Sequence, residues 1–187
     1  MDQTPRMHCE HAEAVMQFLN EIGLPVNIEC GANGFTRHIR IEKGQLFVDP
    51  DAPASAILHE AGHLAIVPER FRHYLSGDLE EGVEAIFSQL DQLNEDPDSP
   101  LSQAMMQAGD AEATAWAWAA GKAVGLPEEV IIQDHEYDGD GASIRLGLSL
   151  GYYLGIHGLS RVGFCAVRPM KPTLYPVYPE LSFWLHP

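Results

Sequence analysis

Basic residues are scarce in this chain. Eleven lysines and arginines stand against 27 aspartates and glutamates, a formal net charge of −16. Contacts along a nucleic-acid backbone need clustered cations, and the few arginines here are scattered, which argues against a nucleic-acid partner. Cysteine is almost absent. Cys9, Cys30 and Cys165 are odd in number, widely spaced and in no CxxC arrangement. That excludes a disulfide framework and fits a reducing compartment. No window reaches the roughly 18 apolar residues of a spanning helix, so no membrane partner is expected. The first residues, "MDQTPRMHCEHAEAVM", lack a positive segment followed by an apolar run, so no signal peptide is read there. A cytoplasmic location is the expectation. Repeats and linkers are absent too, and 187 residues suit one domain, 1–187, with a real core.

What is present is regular patterning. Val15, Phe18, Leu19 and Ile22 stand at helical spacing in 8–22, closed by Gly23 and Pro25. Ile39 and Ile41 alternate with Arg40 and Glu42, and Leu46 and Val48 resume the alternation after Lys43-Gly44, which predicts a hairpin over 37–48. A further strand is expected around Val26–Ile28. Helices are predicted over about 53–66, 78–94 and the alanine-rich "GDAEATAWAWAAGKAVGLP". "DHEYDGDGAS" reads as a polar loop, "IRLGLSLGYYLGIHGL" as a helix, and the proline-rich tail as an extended segment wrapped over the body by its aromatics.

The chemistry concentrates in "AILHEAGHLAI", residues 56 to 66. On a helix, His59 and His63 lie one turn apart on one face, where two imidazoles can converge on one zinc ion. Glu60 is offset by about 100° round the helix, so it stands beside the ion rather than on it. There it can take a proton from a water that the metal has acidified, the mechanical content of H-E-x-x-H. Ile57, Leu58, Leu64 and Ile66 flank the motif, so the helix is buried. Buried histidines and a glutamate are costly unless something satisfies them. Ala61 and Gly62 leave room for close packing.

Zinc needs a third protein ligand. An extended motif with a third histidine fails, because Ile66 stands in place of its glycine and Glu69 in place of the histidine. Glu69 and His73 remain candidates. Glu80, Glu81 and Glu84 compete, but they sit on the acidic side of a helix that reads as solvated. The stronger candidate is Glu112, with Ala115 and Ala119 on its face to let its helix approach that of His59.

"LHEAGH" followed by "DAEATAWAWAAGKAVGLP" resembles the ImmA/IrrE-type zincin-like peptidases. Their second helix carries an acidic-x-Glu-Ala-x-x-aromatic-Ala pattern, here Asp110, Glu112, Ala113, Trp116 and Ala117, then Leu126-Pro127. The resemblance implies that His59, His63 and Glu112 hold the metal and that Glu60 is the base. It also implies a cytoplasmic peptidase that cleaves a repressor or other regulatory partner.

Among the remaining residues, His135, Tyr137, Tyr152, Tyr153 and His157 could donate to an oxyanion, although Tyr152 and Tyr153 sit in an apolar Gly-rich segment and read better as core packing. The acidic loop at 134–143 is not a calcium loop, because Arg145 occupies the position of the bidentate glutamate. "HCEH" at 8–11 reads as surface. Trp116 and Trp118 cannot share a helix face, so one is expected in the core and the other over a neighbouring element. The expected fold is α+β and zincin-like, a small, mostly antiparallel sheet packed on the motif helix and a Glu-bearing helix, with additional helices. An edge strand beside the metal could hold an extended peptide. The expected function is zinc-dependent hydrolysis of a peptide or protein substrate. The alternative is a metal-binding regulatory module with that fold and little peptidase activity.

Overall fold

The computed structural model describes residues 6–168 and 174–187; the first five residues and 169–173 of the proline-rich tail lie outside the described residues. Strands β1 (Val26–Ile28), β2 (Ile39–Glu42) and β3 (Gln45–Val48) form a sheet in the order β1-β3-β2. Ile39 stands opposite Val48 and Ile41 opposite Leu46, so all four side chains point to one buried face. Lys43 and Gly44 both have positive φ, +49° and +72°, the two-residue turn whose twist matches a hairpin. Gly44 has a second reason to be glycine, since a Cβ there would lie 2.6 Å from the Arg72 carbonyl oxygen. The sheet is mixed rather than mostly antiparallel: β1 pairs with β3 in parallel. The hairpin occupies one edge of β3, and only the other edge is left for Val26–Ile28.

Helix α1 (Glu10–Glu21) buries Ala12, Val15, Met16 and Leu19. Helix α2 (Ala54–Ile66) carries the histidine motif and is buried nearly all round. A short α3 (Glu69–Arg72) follows, and its Arg72 guanidinium is buried, donating to the carbonyls of Leu64 (2.8 Å), Val67 (3.3 Å) and His186 (3.2 Å). The Leu64 and Val67 carbonyls lie at the end of α2, where a cation also meets the negative end of the helix dipole. Helices α4 (Leu79–Gln92) and α5 (Pro100–Met106) lead to α6 (Asp110–Val124), then α7 (Glu128–Ile131). The acidic loop contains a 3₁₀ turn, Tyr137–Gly139, and Arg145 ties it down by donating to the Asp134 carboxylate within it and to the Ile132 carbonyl before it, the latter at 2.6 Å. The expected helix over the Gly-rich stretch is two helices, α8 (Gly141–Ser149) and α9 (Leu154–Arg161). Gly151, at φ +72°, turns the chain between them.

Helix α6 is the centre of the molecule. A Cβ on Gly62 of α2 would lie 2.6 Å from the Ala113 carbonyl oxygen, and one on Gly155 of α9 only 1.8 Å from that of Ala111. Both neighbouring helices therefore touch α6 backbone to side, through glycine. The aromatic tail closes the remaining side. The Trp116 indole N–H donates to the Trp184 carbonyl (2.8 Å), the Tyr178 hydroxyl to that of Ala115 (2.8 Å), and Trp184 packs edge-on against Phe18 (5.0 Å). Trp116 and Trp118 are both buried, because an enclosed α6 has no outer face to offer either one. Gly155→Ala is expected to destabilise the fold by about 1–3 kcal/mol or more through overpacking. The gain of ~1 kcal/mol in helix propensity does not offset this. Urea denaturation measures it, and an unchanged midpoint would show that α6 and α9 can move apart freely.

Candidate metal centre

His59 and His63 point from one face of α2 into a cleft of about 900 Å³, a volume suited to a ligand or a stretch of peptide. Their Nε2 atoms are 3.2 Å apart. The third group that meets them is Asp110, the first residue of α6, whose Oδ1 lies 3.2 Å from His63 Nε2 and 3.5 Å from His59 Nε2. Among the described residues these three form the one group able to hold a metal ion. The fit can be tested by geometry. Ligand bonds of ~2.0–2.1 Å in a tetrahedron place neighbouring donor atoms about 3.3 Å apart. Donors 3.2, 3.2 and 3.5 Å apart therefore outline one face of such a tetrahedron, and all three residues line the cleft. The neighbouring imidazoles also lower the Asp110 carboxyl below the usual carboxylate range.

Glu112, the expected third ligand, stands elsewhere. Two residues along a helix is a turn of about 200°, so Asp110 and Glu112 cannot face the same way. Asp110, Ala113 and Thr114 share the side toward α2. Glu112 lies against α9, where a Cβ on Gly158 would be 2.1 Å from its Oε1. As the third residue of α6 it turns back toward the start of the helix, where a Cβ on Gly109 would lie 3.0 Å from its Oε2. Burial raises its pKa, opposed by the N–H groups of Glu112 itself and of Gly109. Asp110 belongs to the same acidic-x-Glu-Ala pattern as Glu112, and which of the two carboxylates meets the histidines depends on the packing of α6.

Glu60 lines the same cleft and is buried, 8% exposed. Its Oε1 accepts from the Thr36 hydroxyl, contributed by the loop that leads into β2. Behind the histidines, His59 Nδ1 lies 3.2 Å from the Tyr137 hydroxyl and 3.5 Å from that of Thr114. Burial pushes the Tyr137 phenol up to about 12 and raises that of Tyr153 as well. Tyr137 therefore meets the back of the histidine ring rather than the cleft. His135, Tyr152 and His157 are exposed and outside the cleft lining. Glu80 and Glu84 line its far wall on α4, with Val83 and Phe87, while Glu69, His73 and Glu81 do not line it.

Strand β2 is the edge of the sheet beside the cleft, with Ile39 and Ile41 in its wall. Two of its outward groups are already engaged: the Ile39 N–H donates to the Thr36 carbonyl (3.2 Å), and the Ile41 carbonyl accepts from Gly77 (3.0 Å). The Ile39 carbonyl packs against Gly34, where a Cβ would lie only 2.9 Å from its oxygen. Among the described residues, no helix is long and apolar enough to cross a membrane. No family model matches the chain, and no curated protein or solved structure matches it.

Proposed function

We propose that the chain is a zinc-dependent peptidase acting on a peptide or protein substrate in the cleft. The observation that carries this reading is the triangle of His59, His63 and Asp110 donors with a buried Glu60 on the next residue of the same helix. Zinc held there would acidify a water and polarise the scissile carbonyl. Glu60 accepts the proton of the attacking water and returns it to the leaving amine. Thr36 fixes the Glu60 carboxylate, so its second oxygen is the one directed to chemistry. The cleft walls of β2 and α4 hold the substrate, with apolar contacts from Ile39, Ile41, Val83 and Phe87. The likeness of the motifs to ImmA/IrrE-type peptidases supports a regulatory protein as substrate and a cytoplasmic setting.

Two histidines and one carboxylate are also a donor set for non-haem iron. A base adjacent to the first histidine favours hydrolysis, because oxygen activation has no use for it. The test is metal analysis of purified protein joined to cleavage of a mixed peptide library. One zinc per chain and cleavage abolished by chelation are expected, with activity restored by added zinc. Stoichiometric zinc without cleavage of any peptide or protein would favour the regulatory module instead.

A further inference from the structure

Only a ring nitrogen without hydrogen can bind a metal, and the partner of the other nitrogen decides which one that is. For His59 the hydrogen bonds can be followed to their end. Thr114 Oγ1 lies 2.9 Å from the Asp110 carbonyl oxygen. A carbonyl only accepts, so Thr114 donates to it. With its hydrogen committed, Thr114 can only accept from the Tyr137 hydroxyl at 3.0 Å. Tyr137, its own hydrogen committed, can only accept from His59 Nδ1 at 3.2 Å. The imidazole therefore carries a hydrogen on Nδ1, which leaves Nε2, 3.2 Å from His63 Nε2, as the nitrogen available to a metal.

A second observation comes from the backbone. Tyr137 and Asp138 are consecutive non-glycine residues at φ +56° and +59°. Bulky side chains rarely adopt this left-handed region. The turn is held by hydrogen bonds from Gly139 N–H to the Glu136 carbonyl and from Asp140 N–H to the Tyr137 carbonyl, each 3.1 Å. An unfavourable conformation maintained at the residue that meets His59 marks Tyr137 as placed there for its hydroxyl.

We infer that Tyr137, backed by Thr114, is a positioning residue that locks His59 as the Nδ1–H tautomer and presents its Nε2 to the metal. The metal half of this statement rests on the reading of the site as a zinc centre; the tautomer does not. Long-range ¹H–¹⁵N NMR on metal-free protein reads the tautomer, and zinc titration against a chromogenic chelator reads affinity. Wild type is expected to show His59 protonated at Nδ1. Tyr137→Phe combined with Thr114→Val is expected to mix the tautomers and weaken zinc about 10–100-fold, with the thermal midpoint of the metal-free protein nearly unchanged. Tyr137→Phe alone should lose less, because Thr114 remains 3.5 Å from the ring nitrogen. An Nε2–H tautomer in metal-free wild type, or wild-type zinc affinity in the double variant, would overturn the inference. Wild type that takes up no zinc would defeat the zinc reading instead, while its His59 tautomer would still decide this one without any variant having to fold.

Discussion

Glu60→Gln is expected to keep one zinc per chain and to lose about 10²–10⁴-fold in kcat, the usual contribution of a positioned acid–base group. The substitution is nearly isosteric. A glutamine amide oxygen can still accept from Thr36, so the local geometry persists. What disappears is the ability to take a proton. Glu60 is not among the converging donors, so metal content should stay at the wild-type value. KM should change little, since the cleft walls on β2 and α4 are untouched. Steady-state cleavage of the best library peptide, with zinc measured on the same sample, separates these effects. Unchanged turnover in a zinc-loaded Glu60→Gln protein would eliminate Glu60 as the base.

The second large effect separates two carboxylates that stand two residues apart. Asp110→Ala is expected to weaken zinc strongly, whereas Glu112→Ala should leave affinity at the wild-type level. Structural zinc sites bind with ~10–16 kcal/mol spread over their ligands, so loss of one ligand costs at least ~2–4 kcal/mol, about 30- to 1,000-fold. Glu112 faces α9 and the start of its own helix, so its removal acts on those contacts and not on the three converging donors. Chelator competition on both variants gives the answer. Loss of zinc in Glu112→Ala with retention in Asp110→Ala would show that the first turn of α6 rearranges around the ion.

Much of this arrangement was legible in the sequence, for reasons of local physics. His59, Glu60 and His63 are fixed relative to one another by helix geometry alone, and the structure brings both histidines and the glutamate to one cleft. The hairpin followed from alternation around Lys43-Gly44, and α2, α4 and α6 from periodicity and their stop signals. Residues that act through tertiary approach left fainter marks. Thr36 lies in a loop whose course depends on how β2 meets α2. Tyr137 lies in a stretch that reads as solvated because four of its residues are acidic. Choosing between Asp110 and Glu112 requires knowing which side of α6 faces α2. That choice is made by Gly62 against Ala113 and Gly155 against Ala111, contacts between elements far apart in the chain.

The division of the donors between α2 and α6 also has a consequence for thermodynamic linkage. In the unfolded chain His59 and His63 remain near neighbours, but Asp110 is free to wander. Closing the loop to it costs roughly 3 kcal/mol for a segment of this length. The unfolded chain thus offers zinc a pair of ligands and the native state a trio, so the ion binds the folded form preferentially. Occupancy at 100 times the dissociation constant would add about 2.7 kcal/mol to the native state if the unfolded chain bound none. In a fold whose central helix is gripped on all sides, zinc would act as one more clasp between α2 and α6, and resistance to unfolding would rise and fall with the free metal concentration.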